Sequence, residues 1–272
     1  MWNDFRGREV LVTGGTRGIG LACALAFARR GAQLTLTHKW GTSDEDSIKA
    51  RFAEMGALTP DIVCADAAND DDTRAVLTRI RARHDRLDVL VSNVAFAALV
   101  RSVDDYTRRG LAASIDYSAW PVAAYTLLAR AIFSAAPRYV VAISSEGVDA
   151  MHPNYDFVAA AQAGLDPLCR YLHNRLREEG CRINVVRTRF VDSESLNDTF
   201  GPEFVPFVKN IAPDLMSAPE AVAEGVFAVC SGLMDGLGGQ AIQIDGGAGL
   251  NDSFSRYFDQ RHQHPIPSRN PI

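Results

Sequence analysis

Short apolar runs alternate with longer amphipathic ones along most of the chain. EVLVT (9–13), QLTLT (33–37), DIVCA (61–65), LDVLVSN (87–93), RYVVAISS (138–145), RINVV (182–186) and QAIQIDGG (240–247) are mostly apolar and predict strands. Between them, apolar positions at helical spacing predict helices over 18–32, 44–57, 71–84, 111–136, 154–179 and 218–232. Gly31 ends the first helix, and acids open the second. Residues 193–215 show no period and read as irregular. Strands this apolar are buried on both faces, as in a parallel sheet covered by helices on each side. Seven of them in unbroken alternation predict one α/β, doubly wound domain over residues 1–250, with 251–272 as a polar, proline-bearing tail. Ligands of such sheets bind beyond the carboxyl ends of the strands, near the topological switch point.

Composition narrows the function. The 272 residues are 47% hydrophobic, enough for a core without staples. A net charge of −5 argues against nucleic-acid binding. The five cysteines, Cys23, Cys64, Cys169, Cys181 and Cys230, form no C-x-x-C pair, which fits free thiols in a reducing compartment. The opening MWNDFRGREV lacks the apolar core of a secretory signal. The least charged stretch, 117–129, is shorter than the ~18 residues of a membrane span. A cytoplasmic protein without membrane attachment is expected. His262 and His264 alone do not make a metal site, so no metal is expected.

The candidate chemistry begins after the first strand, at TGGTRGIG (13–20), where Gly14, Gly18 and Gly20 are spaced G-x-x-x-G-x-G. Glycine belongs where the backbone turns tightly and where a phosphate approaches main-chain N–H groups. The helix starting near Ile19 aims its positive end at such a phosphate. Gly14, Thr16, Arg17, Gly18, Ile19 and Gly20 are thus expected to hold a dinucleotide.

This loop, with CADAA (64–68), SNVA (92–95) and IDGG (244–247), resembles the short-chain dehydrogenase/reductase family across most of the chain. The resemblance implies a Rossmann fold, a nicotinamide cofactor, Asp66 and Ala67 beside the adenine, Asn93 at the cofactor, and a homotetramer or homodimer. An acid after the second strand would bind a free ribose and repel a 2′-phosphate. Here that position reads THKWG, with His38 and Lys39, and Arg17 lies in the glycine loop on the same side. Two cations and no acid favour NADPH (NADP).

The family generally pairs a serine after the fifth strand with Tyr-x-x-x-Lys on the next helix. AGLDPLCRYL (163–172) puts the lysine position at Gln162, and Val158 stands four residues earlier. The branch of bacterial enoyl-acyl-carrier-protein reductases spaces the pair as Tyr-x6-Lys, and SSEGVDAMHPNY with RYLHNRL resembles that branch. Tyr155 then falls on the catalytic tyrosine, Ser145 on its partner, and only the lysine is exchanged. A cation ~4 Å from a phenolate contributes on the order of 4 kcal/mol at an effective dielectric near ~20, roughly three pKa units. Gln162 can hydrogen-bond the nicotinamide ribose but supplies no charge. Enone reduction needs mainly hydrogen bonds to the enolate oxygen, which a neutral tyrosine gives.

Further positions follow from the resemblance. Asp116 replaces the family's asparagine on the long helix, and Ser193 stands where a threonine often meets the carboxamide. TRF (188–190) brings Thr188 and Arg189 to the nicotinamide, with Arg189 expected to orient substrate and His152 to reach the substrate pocket. Residues 193–215 correspond to the segment that closes over the substrate. The expected function is an NADPH-dependent reductase with atypical catalytic residues. Its substrate would be an enone, enoyl or keto acyl group, free or carrier-bound, in a specialised biosynthetic pathway. Two alternatives stay open: a non-redox dinucleotide-binding scaffold or sensor, and a non-redox cyclase or lyase on the same fold.

Overall fold

The first apolar run forms β1 (Glu9–Thr13), buried at every position, and the glycine loop leads from it into α1 (Gly18–Ala28). The computed structural model describes residues 4–39 and 44–250, together with Ser255 and Phe258. The remaining tail residues, His262 and His264 among them, lie outside the described residues. The alternation continues through β2 (Gln33–His38), α2 (Glu45–Glu54), β3 (Asp61–Cys64), α3 (Asp70–Arg81) and β4 (Val89–Ser92). Then come α4 (Arg108–Ser118), α5 (Trp120–Phe133), β5 (Tyr139–Ser145), α6 (Asp156–Ala163), α7 (Leu165–Leu176) and β6 (Arg182–Thr188). The last elements are β7 (Phe190–Val191), α8 (Glu194–Phe200), α9 (Phe204–Ile211), β8 (Met216–Ser217), α10 (Pro219–Cys230) and β9 (Ala241–Gln243).

The expected seven-stranded parallel sheet is present, in the order β3-β2-β1-β4-β5-β6-β9. The chain direction across the sheet reverses between β1 and β4, and this is the switch point. There Thr13 lies beside Ser92, so the glycine loop and Asn93 leave the sheet together. Asn93 ties them: its Nδ2 donates to the carbonyls of Thr13 (3.2 Å) and Gly14 (3.0 Å), and its backbone N–H to Thr13 Oγ1 (3.0 Å).

Each face of the sheet buries its own core. On one face α1 and α10 pack together, with Phe5, Phe27 and Phe227 forming a ring cluster at 5.3–5.5 Å. On the other, Leu77, Tyr125, Leu165 and Ile183 lie between the sheet and α3, α5 and α7. Four cysteines are buried and Cys64 is exposed, all as free thiols. Among the described residues no helix is long and apolar enough to cross a membrane.

Three elements differ from the sequence reading. The long helix of 111–136 is two helices, because the backbone turns at Ala119 and Pro121 starts the second. The helix of 154–179 divides at Gly164, and Pro167 in the next turn has no N–H to continue the ladder. Residues 193–215 are not irregular: they form α8 and α9, interrupted at Gly201 and Pro202, and lead into the small β7–β8 pair. Phe190, Phe204, Val208 and Leu215 give this subunit of structure its own apolar cluster.

Candidate active site

The carboxyl ends of β1, β2, β4, β5 and β6 open into one cleft of about 660 Å³. At one end lies the glycine loop. Gly14 and Gly18 take φ values of +61° and +52°, which side chains rarely adopt, and a Cβ on Gly20 would sit 2.2 Å from the Gly14 carbonyl oxygen. The N-cap residue Arg17 makes no capping hydrogen bond with its side chain, and Gly18 and Ile19 of the first turn of α1 line the cleft. This cradle fits the pyrophosphate of a dinucleotide. Gly14, Thr16, Arg17, Gly18 and Ile19 line the cleft, whereas Gly20 packs behind the loop.

His38, Lys39 and Ala67 also line it. Lys39 is already engaged: its ammonium donates to the Asp66 carboxylate and the Tyr117 hydroxyl. Burial raises the Asp66 carboxyl, but Lys39, the Ala68 N–H and Tyr117 outweigh it and hold the group below the usual carboxylate range. Asp66 thus supports the cleft from behind Lys39. Arg17 reaches over the loop to Glu194 (3.3 Å) and Asp198 (3.7 Å) of α8.

The other end holds the candidate catalytic residues. Ser145 ends β5, Tyr155 stands at the N-cap position of α6, and Gln162 is the next-to-last residue of that helix. Gln162 Oε1 accepts from Ser145 Oγ at 2.6 Å and from Tyr155 Oη at 3.4 Å. Gln162 is 5% exposed, so its acceptor is sheltered from competing water. Burial raises the Tyr155 hydroxyl above its ordinary range, and hydrogen bonding with Ser145 draws it only part of the way back. Tyr155 therefore remains a protonated donor at neutral pH. The hydroxyl of the neighbouring Ser144 is buried without a hydrogen-bond partner among the described residues.

Beside this group lies a cluster that the sequence reading saw only in part. Arg189 and His152 both line the cleft, as expected, and both turn to one carboxylate, that of Glu146. Glu146 Oε1 is 2.9 Å from Arg189 Nε and 3.3 Å from His152 Nε2. Arg189 Nη1 donates to the Ala248 carbonyl at 3.0 Å. Phe200 stacks over Tyr155 with ring centroids 6.4 Å apart, and Phe190 lies 5.5 Å from the His152 ring. Ser193 and Thr188 line the cleft. Asp116 is exposed on α4, and it is the next residue, Tyr117, that faces the cleft. Glu146, Tyr117 and Phe200 were missed because Arg189, Lys39 and Tyr155, which they respectively meet, lie far from them in sequence.

A family model described as enoyl-(acyl carrier protein) reductase matches residues 14–249. The chain belongs to that family, a branch of the short-chain dehydrogenases/reductases. It is 28% identical over 244 residues to 1-cyclohexenylcarbonyl-CoA reductase of Streptomyces collinus, covering 88% of this chain and 86% of that one. It is 26% identical over 253 residues to enoyl-[acyl-carrier-protein] reductase [NADH] of Escherichia coli, covering 89% and 94%. It is also 25% identical over 248 residues to a 3-oxoacyl-[acyl-carrier-protein] reductase of Chlamydia trachomatis, covering 88% and 96%. Among solved structures, a short-chain dehydrogenase from Burkholderia cenocepacia in complex with NADP superposes with a TM-score of 0.79. It is 24% identical, over 90% of this chain and 99% of that one, a likeness of fold. The chain is a reductase of the acyl-group type, with a site for a nicotinamide dinucleotide.

Proposed function

We propose that this protein is an NADPH-dependent reductase of an α,β-unsaturated acyl thioester. The observation that carries this reading is the convergence of two hydroxyls, from Ser145 and Tyr155, on the single acceptor of Gln162, without an ammonium. Reduced nicotinamide, when bound, supplies a hydride. Tyr155 turns its single O–H from Gln162 to the thioester oxygen as negative charge grows there, and Ser145 supports it. A neutral phenol suffices for an enolate, whereas reduction of a ketone to an alcohol demands full proton transfer in the same step. Gln162, through its amide nitrogen, would hold the nicotinamide ribose. The carboxamide would meet Ser193. Arg189 and His152 face the acyl group, and residues 193–215, with Phe200 over Tyr155, would cover it.

The NADPH preference rests on Arg17, His38 and Lys39 and on the lack of an acid at the end of β2. A 2′-phosphate would take Lys39 in exchange for Asp66 and Arg17 in exchange for Glu194. The similar proteins differ on this point: one is named for NADH and one holds NADP. Fluorescence titration with both cofactors tests it. NADPH should bind at least about tenfold more tightly than NADH, a difference of ~1.4 kcal/mol, and Lys39→Met should erase most of that margin. Equal affinities would overturn the NADPH preference. Oxidation of NADPH against crotonyl-CoA, cyclohex-1-enecarbonyl-CoA and acetoacetyl-CoA tests the reaction, with the first two expected to turn over. Turnover of acetoacetyl-CoA alone would make the protein a ketone reductase instead. The wider setting we propose, a specialised pathway, a cytoplasmic location and a homo-oligomer, rests on analogy with the family.

A further inference from the structure

We infer that His152, oriented by Glu146, is a second proton-transfer group of this site, delivering the proton that forms the α-carbon C–H bond. The inference rests on the proposed reduction of an enoyl thioester. The Glu146–Arg189 pair is electrically complete by itself, yet the same carboxylate oxygen also meets His152 Nε2 at 3.3 Å. Glu146 is 8% exposed and cannot swing into water without breaking from Arg189. A buried carboxylate against one ring nitrogen fixes where the imidazole sits. The other nitrogen, Nδ1, has no hydrogen-bond partner among the described residues, and His152 lines the cleft. The His152 ring stands edge-on to Tyr155, centroids 6.0 Å apart at 89°. A donor one ring-width from the phenol is placed for a carbon neighbouring the oxygen that the phenol binds.

The step balances. Hydride from the reduced nicotinamide dinucleotide forms the β-carbon C–H bond, and the alkene electron pair moves to the enolate. That pair then takes the proton from imidazolium Nδ1, leaving neutral imidazole, which solvent reprotonates. The charged or titratable groups facing His152 are Glu146 from the turn after β5, Arg189 from the segment after β6, and Tyr155 at the start of α6. Phe190 and Phe200 complete its surroundings without charge.

Two measurements test this. The His152 ring proton signals, assigned by their loss in His152→Gln, are compared by NMR at one pH in the wild-type protein and in Glu146→Gln. They should move in the variant, because the ring loses the carboxylate that fixes it. Unmoved signals overturn the orienting role of Glu146, whatever the reaction is. Turnover of crotonyl-CoA and cyclohex-1-enecarbonyl-CoA with NADPH is then followed in D2O. His152→Gln, with NADPH binding retained as a check on folding, should lower kcat about 10²-fold with little change in KM. It should also change the solvent isotope effect on kcat, since the donor of the transferred proton is gone. Wild-type kcat and isotope effect in His152→Gln overturn the proton role. A wild-type protein that turns over neither thioester, with the NMR coupling intact, refutes the reductase reading itself, and the proton role falls with it.

Discussion

In the proposed site, Gln162 puts an amide beside Tyr155 where the family resemblance expects a charge. The glutamine oxygen accepts a hydrogen bond from each hydroxyl and supplies no positive charge, and burial keeps the phenol weakly acidic. Tyr155→Phe removes only the hydroxyl. It should lower kcat/KM for crotonyl-CoA about 10²-fold or more while NADPH affinity, read by fluorescence, stays as it was. Gln162→Lys replaces an acceptor by a cation that only donates, so both hydroxyls must turn to accept from it. The phenol then becomes more acidic, and the alkaline limb of kcat should move to lower pH by up to roughly three units. An unmoved limb would show that Tyr155 is not the group that titrates. Tyr155, Ser145 and Gln162 were legible in the sequence because their spacing lies within one strand–turn–helix segment. Glu146 was not, because its partner Arg189 comes from the segment after β6 and no local pattern joins them.

At the scale of elements, the glycines of the cofactor loop and of α10 separate two kinds of close approach. A Cβ on Gly20 would meet the Gly14 carbonyl at 2.2 Å and Asn93 Nδ2 at 2.6 Å, and the carbonyl is backbone that cannot rotate away. Gly20→Ala should abolish NADPH binding and lower Tm. A Cβ on Gly225 would meet Ile244 Cδ1 at 2.2 Å, the free end of a flexible chain. Gly225→Ala should leave NADPH affinity intact and cost little stability, since alanine also gains up to ~1 kcal/mol of helix propensity. Similar losses in both variants would contradict this ranking. The long elements were readable because burial imposes a period on the sequence. The breaks at Ala119 and Gly164 were not, since the apolar pattern runs on through both. The helices α8 and α9 are too short, with Gly201 and Pro202 between them, for a period to emerge.

The whole molecule carries a buried acid far from the cleft, at the opposite end of β1. Glu9 is fully buried, accepts from Thr35 Oγ1 at 2.5 Å, and lies 3.1 Å from His84 Nε2. Burial pushes its carboxyl from 4.5 up to about 7, against the pull of the Thr35 hydroxyl. The folded state therefore binds more protons than the unfolded one between those two values. The stability this contributes is full below about pH 4.5 and is lost as pH rises through about 7, on the order of 3 kcal/mol in all. Burial holds His84 below its ordinary value, and its contribution runs the other way, rising with pH toward 6.5 and offsetting part of the loss. Asp61 and Asp66, held low by their cation partners, titrate below this window. Tm should fall between about pH 5 and pH 8 in the wild type, and Glu9→Gln should remove most of that fall. A wild-type Tm that is level over this range would refute the assignment.

The sequence by itself determined the parallel sheet, the dinucleotide cradle after β1 and the place of Tyr155 on its helix. Burial on two faces, a backbone turn and a short spacing each leave a local imprint. Only the tertiary structure decided which charges are free. Lys39 meets Asp66 and Tyr117, Arg17 meets Glu194, and Glu146 meets Arg189, all across separate elements. Electrostatic partnership depends on distance and burial, and residues far apart in the chain acquire both only when the strands that carry them lie side by side.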